Sequence, residues 1–579
     1  MKTFQKYTDD KTTLILISLL KEHGIKKVVA SPGTTNMWFV ASIQQDPFFE
    51  IISAPDERSA AYMACGISAI DYEPVIITCT EATASRNYFP ALTEAFYRKL
   101  PILAITGCHN IANIGNLHPQ IIDRRFYPKD TYIESVHLKS CYSLDDEWEV
   151  NLNVNKAILA LKKQGGGPVH INLEAGHSLN FNVALLPKTR IINKIQKTNF
   201  FPSLPEGKIA VFIGSHRKFT NHETTIIDKF CQSNDAVVFC DHTSNYKGAF
   251  RIDIALIAAQ KVYKQDIFDF NLLIHIGEIS GEQYIQEKIK PKEVWRVSED
   301  GEIRDTFKKL TFIFEISYIH FFQNYTSPNN AQNNHFLFWK NLYNDIYNKI
   351  PCLPFSNVWI AQQLHNKLPS NSNLHFSIFN SLRSWNFFEV SKNINCYCNV
   401  GGFGIDGTLS SLIGNALIDK EKICFAIVGD LSFFYDINSL ANRHIPNNVR
   451  IILINNGKGT EFRNYGHPAY HFGEFADDYI AAAKHYGNKS TQLIKHYAED
   501  LGFKYLQASD KDTFIKNISE FTTELRIEQP IIFEVFTNSD DESLAIRYIR
   551  EIIKMPLSFT EKFKRGIKNY IKSANETNC

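Results

Sequence analysis

The chain has 579 residues, and its 62 Lys and Arg residues almost balance its 61 Asp and Glu residues. A near-neutral net charge gives no electrostatic reason to expect nucleic acid or an anionic membrane as a partner. The composition, 44% hydrophobic and 21% charged, is that of a globular protein, and the length predicts about three domains.

The N-terminal segment, residues 1–24, predicts an amphipathic helix that ends at Gly24. Its apolar run is too short for a secretory or membrane segment. Nowhere does the chain hold the roughly eighteen consecutive apolar residues of a transmembrane helix. The 11 cysteines are scattered, and Cys396 and Cys398 are too close in sequence for the usual zinc-binding spacing. We therefore expect reduced thiols and a cytoplasmic protein.

Strand-like and helix-like segments alternate along the chain. The predicted strands are apolar without in–out alternation, which is typical of parallel strands covered on both faces. They fall at residues 26–33, 74–80, 101–107 and 167–173, then at 207–215, 236–242, 271–278 and 292–300, and finally at 373–381, 423–430, 449–456 and 530–536. We predict an α/β fold of three doubly wound parallel-sheet domains in series, at residues 1–186, 200–345 and 350–540, followed by a helical C-terminal tail, residues 541–579.

The tail is basic. Between Arg547 and Lys572 it has eight basic residues against Glu551 and Glu561, with Ile, Leu and Phe interleaved. This pattern fits either a basic amphipathic helix pair that meets a membrane surface or a polyanion, or a solvated terminal helix. We favour the solvated helix and expect no membrane contact.

Two polar residues follow neighbouring predicted strands of the third domain. Asp430 ends one strand and Asn456 ends the next, and each lies beside a glycine, Gly429 or Gly457. Doubly wound sheets bind ligands at the carboxyl ends of their strands, and Asp and Asn oxygens suit Mg²⁺. The glycines let backbone amides approach a diphosphate near the positive end of a helix that starts close to Ser432. A lone Asp here is usually a helix N-cap, but the paired spacing favours a metal site.

This pattern resembles the diphosphate motif of thiamine-diphosphate enzymes. The resemblance implies that Asp430 and Asn456 bind Mg²⁺ together with the backbone carbonyl of Lys458. Far away in the chain, residues 53–68 (SAPDERSAAYMACGIS) resemble the segment that carries the catalytic glutamate of that family. The matching residue, Glu57, would hydrogen-bond N1′ of the cofactor's pyrimidine, so that the 4′-amino group can take the C2 proton. Without the first motif, Glu57 would be an ordinary charged residue in a first helical turn.

Residues 399–440 resemble one family within this group, the 2-succinyl-5-enolpyruvyl-6-hydroxy-3-cyclohexene-1-carboxylate synthases of menaquinone biosynthesis. Residues 31–35, 56–66, 83–95 and 167–172 are similar to the first domain of those enzymes, and the middle domain matches by position only. The resemblance implies a pyrimidine-binding, a middle and a diphosphate-binding domain. It implies cofactor contacts from Pro32, Thr83, Asn87, Gly404, Ile405, Gly429, Asp430, Leu431, Ser432, Asn456 and Gly459. Ile405 would be the apolar residue that bends the cofactor, or else an ordinary core residue.

The departures from that family concern substrate residues. Where those synthases carry arginines that bind carboxylates, this chain has Thr35, next to Thr34, and also His109, Trp385 and Val400. Neither Trp nor Val can replace the bidentate, permanently charged guanidinium of arginine. These departures argue against the menaquinone intermediate as the product and leave donor and acceptor open.

Several further residues are candidates for binding or proton transfer. Arg86 and Arg383 could restore anion binding from new positions, although an arginine on the surface is the ordinary case. Gln120 matches a family glutamine near the reacting carbonyl. His109 and His118 could act in acid–base catalysis because an imidazole titrates near neutral pH, and for each a purely structural role is equally open.

Together these motifs predict a cytoplasmic enzyme that uses thiamine diphosphate and Mg²⁺ to decarboxylate a 2-oxo acid. We expect the resulting acyl-anion equivalent to be transferred to an acceptor, with formation of a C–C bond. The alternatives are a simple decarboxylase without ligation and a catalytically inactive, cofactor-binding scaffold. The resemblance implies a homodimer or homotetramer with active sites at the subunit interface, small molecules as donor and acceptor, and no nucleic-acid partner.

Overall fold

The computed structural model of the chain divides into two compact units. The first comprises Met1–Asn199 and Gly301–Ile313, and the second comprises Phe200–Asp300 and Phe314–Cys579. The structure describes residues 6–174, 178–262, 265–328, 331–485, 490–524 and 528–553. The first and third predicted domains therefore lie in different units.

A six-stranded parallel sheet forms the centre of the first unit. Its strands are β1 (Lys27–Ala30), β2 (Glu50–Ser53), β3 (Val75–Cys79), β4 (Ile102–Cys108), β5 (Glu134–Leu138) and β6 (Val169–Glu174). Their spatial order is β2-β1-β3-β4-β6-β5, and all neighbours pair in parallel. β1, β3, β4 and β6 confirm the four predicted strands. The edge strands β2 and β5 are not among the predicted strands, because both are partly exposed and lack an unbroken apolar run.

Helices cover both faces of this sheet, which explains the apolar strands. Ile76 lies in a buried core with Leu16, whereas Ile77 lies in a second core with Ala61, because successive strand residues point to opposite faces. The helices are Lys11–Glu22, Met37–Ile43, Glu57–Asp71, Thr83–Asn87, Phe89–Arg98 and Leu144–Ala160, and a further short strand, β7, is Asn193–Ile195. The first helix ends just before Gly24, which has a φ of 72°, and this confirms the predicted N-terminal helix.

The second unit contains two further parallel sheets. In the middle sheet, β8 (Ile209–Ile213), β9 (Val237–Cys240), β10 (Arg251–Asp253), β11 (Asp269–Ile276) and β12 (Lys290–Val297) lie in the order β10-β9-β8-β11-β12. The next strand along the chain, β13, is Leu310–Phe314. The third sheet has the order β15-β14-β16-β17-β19-β18, with β14 (Asn373–Phe376), β15 (Asn395–Cys398), β16 (Cys424–Gly429), β17 (Val449–Asn455), β18 (Lys504–Ala508) and β19 (Ile531–Phe536). These sheets confirm the predicted α/β class with three parallel sheets.

Buried hydrogen bonds join the middle and third sheets of this unit. Asn245 donates to the Cys396 carbonyl and accepts from the Cys396 N–H, each at 3.0 Å, and Nε2 of His242 lies 3.0 Å from the Trp385 carbonyl.

The helices of the second unit are Asn221–Asn234, Ala255–Ala258, Gln283–Lys288, Tyr318–Asn324, Asn334–Tyr347, Asn357–Leu364, Asn380–Trp385, Thr408–Ile418, Asp430–Asp436, Leu493–Asp500, Lys511–Phe521 and Ser539–Arg550. The residue limits of the three domains stay predictions.

The predicted C-terminal tail is described in part. It begins within the helix Ser539–Arg550, which has Asn538 as its N-cap, and residues 554–579 lie outside the described residues. Within the ranges that the structure describes, no helix has both the length and the apolar character that crossing a membrane requires.

Gly107, in β4, packs directly against the backbone of Thr35. A Cβ atom at position 107 would overlap the Thr35 carbonyl, so we expect Gly107→Ala to lower the free energy of unfolding by about 1–3 kcal/mol. Gly66 is the matched control, because it lies inside a helix and nothing lies within 4 Å of an added Cβ. Gly66→Ala should raise the free energy of unfolding by up to about 1 kcal/mol. Denaturant titration measures both values, and equal effects would contradict the close packing at Gly107.

Candidate active site

Four neighbouring strands of the first sheet end beside predicted site residues. In the order β2-β1-β3-β4, Glu57 follows β2, Pro32 follows β1, Thr83 follows β3 and His109 follows β4. The carboxyl ends of parallel strands meet at one edge, and that edge is where doubly wound sheets bind ligands. Adjacent strands are about 4.8 Å apart, so these four segments lie side by side over roughly 14 Å.

Glu57 is the first residue of the helix Glu57–Asp71. The helix is capped by the side chain of Asp56, which accepts a hydrogen bond from the Ser59 N–H at 3.0 Å. Glu57 is half-buried and is not the capping residue. A carboxyl group at this edge that has no capping role fits the catalytic position that the resemblance implies.

Most other candidates in the first unit lie on exposed turns or a short helix. Those exposed to solvent are Pro32, Thr34, Thr83, Asn87, His118 and Gln120. Thr35 is different, because it is buried and its hydroxyl lies 2.6 Å from the Thr80 hydroxyl. Thr35 therefore joins β1 to β3 through this side-chain contact.

Arg86 is held by two contacts within the first unit. Its guanidinium donates to the Asp123 carbonyl at 2.9 Å and lies 5.1 Å from the centre of the Phe89 ring. Neither contact neutralises its charge. Arg86 therefore keeps a positive charge in the helix that also carries Thr83 and Asn87.

A buried carboxylate distinguishes His109 from the other predicted histidine. Nδ1 of His109 contacts Oε1 of Glu81, and the side chains of His109 and Glu81 are 31% and 2% exposed. Glu81 is not among the residues predicted from the sequence. Its position directly after β3 and near Thr83 is the one signal that could have indicated it.

In the second unit, a cavity of about 290 Å³ gathers the predicted diphosphate and metal residues. Its lining includes Ile405, Gly429, Asp430, Leu431, Ser432, Asn456, Lys458 and Gly459, and Gly404 precedes Ile405 in the chain. β16 and β17 are neighbours, with Gly429 opposite Ile454. The structure therefore brings Asp430 and Asn456 together at adjacent strand ends, as the motif predicts.

Asp430 is buried, and three donors surround its carboxylate. Oδ1 accepts from the Leu431 N–H at 2.9 Å, and Oδ2 accepts from the Gly457 N–H at 2.7 Å. Nε2 of His485 lies 3.1 Å from Oδ2. A carboxylate has about four acceptor sites, so it can still bind a cation, and hydrogen bonds commonly orient carboxylates that bind metals. No sequence motif indicates His485.

The two asparagines at the end of β17 have different environments. Asn455 donates to the buried Glu534 of β19 at 2.7 Å. Oδ1 of Asn456 is buried and has no hydrogen-bond partner in the part of the chain that the structure describes. A buried acceptor without a donor costs roughly 1–3 kcal/mol, and a bound cation would remove this cost. Asn456 therefore fits a metal ligand, whereas Asn455 stabilises the sheet.

The segment around Gly429 has room for a phosphate group, since nothing lies within 4 Å of an added Cβ there. The following helix spans Asp430–Asp436, which confirms a helix that starts near Ser432. Ser432 donates to the Ile405 carbonyl at 2.5 Å and fixes the backbone of Ile405 in the cavity wall. These residues therefore fit a diphosphate and a divalent cation.

Lys458 lines the cavity, and its charge is paired. Its ammonium group lies 2.7 Å from Asp477, which is also 2.6 Å from Arg463. The role of the Lys458 carbonyl as a metal ligand stays a prediction of the resemblance.

The predicted substrate residues of the second unit have protein partners or are buried. Arg383 forms an ion pair with Glu461, which lines the cavity, and lies 5.3 Å from the centre of the Phe379 ring. Trp385 is 0% exposed and Val400 is 4% exposed. The Trp385 ring is part of the core, and the substrate role of this residue stays a prediction.

Glu542 is a cavity residue that the sequence analysis misses. Its carboxyl oxygens accept from the Asn357 N–H at 3.0 and 3.1 Å and from the Thr537 hydroxyl at 2.7 Å. Burial raises the pKa of Glu542 to about 7, although these hydrogen bonds act in the opposite direction. No motif around position 542 distinguishes it from a helix surface residue.

The raised pKa of Glu542 predicts that stability falls as the pH rises. The folded state keeps this proton up to about pH 7, whereas an unfolded glutamate loses it near pH 4.3. The contribution of this proton to the free energy of unfolding is complete below about pH 4 and is lost as the pH rises through 7. We expect Glu542→Gln, which mimics the neutral form, to be on the order of 3 kcal/mol more stable than the wild type near pH 8.

Denaturant titrations from about pH 5 to pH 8 check this prediction for Glu542. Asp540→Asn is the matched control, because Asp540 is exposed in the same helix, and it should keep the wild-type dependence on pH. An equally steep dependence in Glu542→Gln would contradict the raised pKa.

Comparisons with known proteins identify the family of the chain. A family model described as thiamine pyrophosphate enzyme, N-terminal TPP binding domain, matches residues 10–125. The 2-succinyl-5-enolpyruvyl-6-hydroxy-3-cyclohexene-1-carboxylate synthase of Bacteroides fragilis is 30% identical over 558 residues, which cover 93% of this chain and 98% of the relative. The synthase of the same name from Bacteroides thetaiotaomicron is 30% identical over 562 residues with the same coverage, and that of Flavobacterium johnsoniae is 26% identical over 559 residues, again with 93% and 98% coverage. The chain therefore belongs to the family of these synthases and is a thiamine-diphosphate-dependent enzyme.

Proposed function

We propose that the protein decarboxylates a 2-oxo acid and transfers the acyl-anion equivalent to an acceptor, with formation of a C–C bond. The observation that carries this proposal is the pair of oxygen-bearing side chains at neighbouring strand ends in the second unit. The buried Asp430 carboxylate lies at the strand end next to Asn456, whose Oδ1 has no hydrogen-bond partner among the described residues. Such a set suits Mg²⁺, which binds a diphosphate through its remaining positions.

Cavity residues would bind and orient the cofactor. Asp430, Asn456 and the Lys458 carbonyl would hold Mg²⁺, and the open side of Gly429 would leave space for phosphate oxygens. Ile405, fixed by Ser432 at 2.5 Å, would support the cofactor with its apolar side chain. When bound, thiamine diphosphate supplies a carbon nucleophile and an electron sink for decarboxylation.

Glu57 would hold a proton at the pyrimidine nitrogen N1′, as the resemblance implies. Glu57 lies in the first unit and the metal residues lie in the second. We propose a homodimer, or a homotetramer built from such dimers, in which Glu57 of one chain serves the diphosphate site of the other. This arrangement rests on the resemblance.

We propose that the product differs from the one in the relatives' name. His109 is not a permanent cation, and Trp385 and Val400 are buried and uncharged. Arg86 and Arg383 keep their charges, but Arg383 is already paired with Glu461. The candidate substrate positions therefore offer less fixed positive charge for a substrate with several carboxylates.

Product analysis tests the proposal and separates its alternatives. Protein loaded with thiamine diphosphate and Mg²⁺ is incubated with ¹³C-labelled 2-oxo acids, alone and with aldehydes, ketones or isochorismate, and NMR identifies the products. We expect CO₂ release that rises with an acceptor, together with a new C–C bond. If added acceptors do not change the rate of CO₂ release, the result would indicate a simple decarboxylase. If the protein binds the cofactor but turns over no 2-oxo acid, the result would indicate an inactive scaffold. Formation of the product in the relatives' name would overturn the proposed difference in substrate.

A further inference from the structure

β3 and β4 end side by side, and a titratable residue follows each strand. Cys79 of β3 pairs with Thr106 of β4, so the segments beyond them run next to each other. Oε1 of Glu81, after β3, contacts Nδ1 of His109, after β4. The pair lies at the same edge of the sheet as Glu57 and Pro32.

Arg124 balances the charge of Glu81. Its guanidinium lies 3.9 Å from Oε2 of Glu81 and is 5% exposed, and it donates to the Thr106 hydroxyl at 2.7 Å and the Gly107 carbonyl at 2.8 Å. A buried carboxylate requires a charged or hydrogen-bonded partner, and Arg124 supplies a charge, although 3.9 Å is too long for a hydrogen bond. The directional contact of the Glu81 carboxylate among the described residues is the one with Nδ1 of His109.

The backbone next to Glu81 is strained. Ala82 has a φ of 57° and a ψ of −129°, a combination that residues other than glycine rarely adopt and that costs of order 1–3 kcal/mol. Strain of this kind persists where the surrounding structure requires one geometry, and it concentrates at functional sites. Here it occurs in the turn that leads from β3 past Glu81 into the helix Thr83–Asn87.

A histidine in the same sheet shows the contrasting, structural case. His170 of β6 is 3% exposed, and its two ring nitrogens lie 2.8 Å from the Thr106 hydroxyl and 2.9 Å from the Ser135 hydroxyl. Burial lowers the pKa of His170 well below its usual value. His109, by contrast, is 31% exposed, so solvent and small molecules can reach its ring.

We propose that Glu81 is a positioning residue for His109, and that His109 is the catalytic acid toward an uncharged aldehyde or ketone acceptor. This inference rests on the proposed function, whose acceptor class it specifies. Because Nδ1 faces the carboxylate, Glu81 favours the tautomer with hydrogen on Nδ1. This contact also orients the ring so that Nε2 points away from the Glu81 carboxylate. In the protonated ring, Nε2 carries the proton to be transferred.

In the proposed step, the electron pair of the acyl-anion equivalent attacks the carbonyl carbon of the acceptor. The new C–C bond forms at the carbonyl carbon, the π electrons of the C=O bond move to the oxygen, and the proton on Nε2 of His109 moves to that oxygen to give a hydroxyl group. His109 then regains a proton from solvent. A carbonyl acceptor needs such an acid because addition places negative charge on oxygen. The guanidinium of Arg124 already binds Thr106 and Gly107, so this cluster offers no arginine clamp for a carboxylate.

Carboligation kinetics test the catalytic part of the inference. The assay uses the 2-oxo acid that releases CO₂ fastest, with glycolaldehyde as the acceptor probe. We expect His109→Asn to lower the kcat of carboligation by about 10²-fold or more. Equal carboligation in His109→Asn and the wild type would overturn the catalytic role.

The dependence of carboligation on pH tests Glu81. Glu81→Gln should lower the kcat of carboligation about tenfold and shift the part of its pH profile that depends on His109. Glu81→Asp keeps the charge and should restore part of the wild-type pH profile. Glu94→Gln is the control, because Glu94 is an exposed residue paired with Arg98 at 3.4 Å. A wild-type pH profile in Glu81→Gln would overturn the positioning role.

Nitrogen-15 NMR of labelled histidine tests the tautomer without turnover. The His109 signals are those that disappear in His109→Asn. We expect hydrogen on Nδ1 in the neutral wild-type ring and loss of this preference in Glu81→Gln, whereas hydrogen on Nε2 in the wild type would overturn the inference. If no 2-oxo acid is turned over, the proposed function fails, and this readout still decides whether Glu81 orients His109.

Discussion

We expect Glu57→Gln to bind thiamine diphosphate with nearly wild-type affinity but to slow exchange of the cofactor's C2 proton by about 10²–10⁴-fold. Gln keeps the size of the side chain but cannot hold or return the proton that the catalytic role requires. The start of the helix should persist, because Asp56 and not Glu57 is its cap. Hydrogen–deuterium exchange at C2, followed by NMR after acid quench, measures the rate, and calorimetry measures the affinity.

Glu50→Gln is the matched control for Glu57. Glu50 belongs to β2, the strand that leads to Glu57, but it is exposed and pairs with Lys26 at 2.6 Å. This variant should exchange the C2 proton at the wild-type rate, since exposed ion pairs contribute little. Normal exchange in Glu57→Gln would show that another residue activates the cofactor.

Asp430→Ala should weaken the binding of thiamine diphosphate with Mg²⁺ by roughly 100-fold or more. The change removes a proposed metal ligand, and loss of residues that merely orient such ligands already costs about 10–100-fold in metal affinity. It also removes the acceptor for the Gly457 N–H, which Asp430 binds at 2.7 Å. Asp430→Asn separates the two effects, because it keeps an acceptor oxygen while it removes the charge.

Calorimetric titration of the cofactor with a fixed Mg²⁺ concentration measures these dissociation constants. Asp478→Ala is the control, because Asp478 is exposed and pairs with Lys484 at 2.7 Å. It should bind with the wild-type constant. An unchanged constant in both Asp430 variants would place the metal at other residues.

Buried strands and the two motifs could be predicted because local sequence determines them. Continuous apolar runs such as β3 and β16 need no information from distant residues. The same holds for Asp430 and Asn456, since the ends of neighbouring parallel strands must meet. The edge strands β2 and β5 have no such run, so their pairing depends on the strands already in the sheet.

Side-chain partners from distant parts of the chain could not be predicted. His485 reaches Asp430 and Glu542 reaches the cavity only through the tertiary fold, and Glu81 lies 28 positions from its partner His109. Trp385 shows the same effect of packing. Its place in the motif indicates the substrate site, whereas packing between the middle and third sheets buries it completely, so its substrate role stays a prediction. Local patterns identify which residues are chemically suitable, and packing decides which of them face a ligand.

Release of ¹³CO₂ from 2-oxo acids labelled at C1 tests the central claim most directly. Wild-type protein loaded with thiamine diphosphate and Mg²⁺ is compared with Glu57→Gln under the same conditions, across a panel of 2-oxo acids. We predict that the wild type releases ¹³CO₂ from at least one of them and that Glu57→Gln releases it at least about 10²-fold more slowly. No release by the wild type, or equal release by both proteins, would contradict the account.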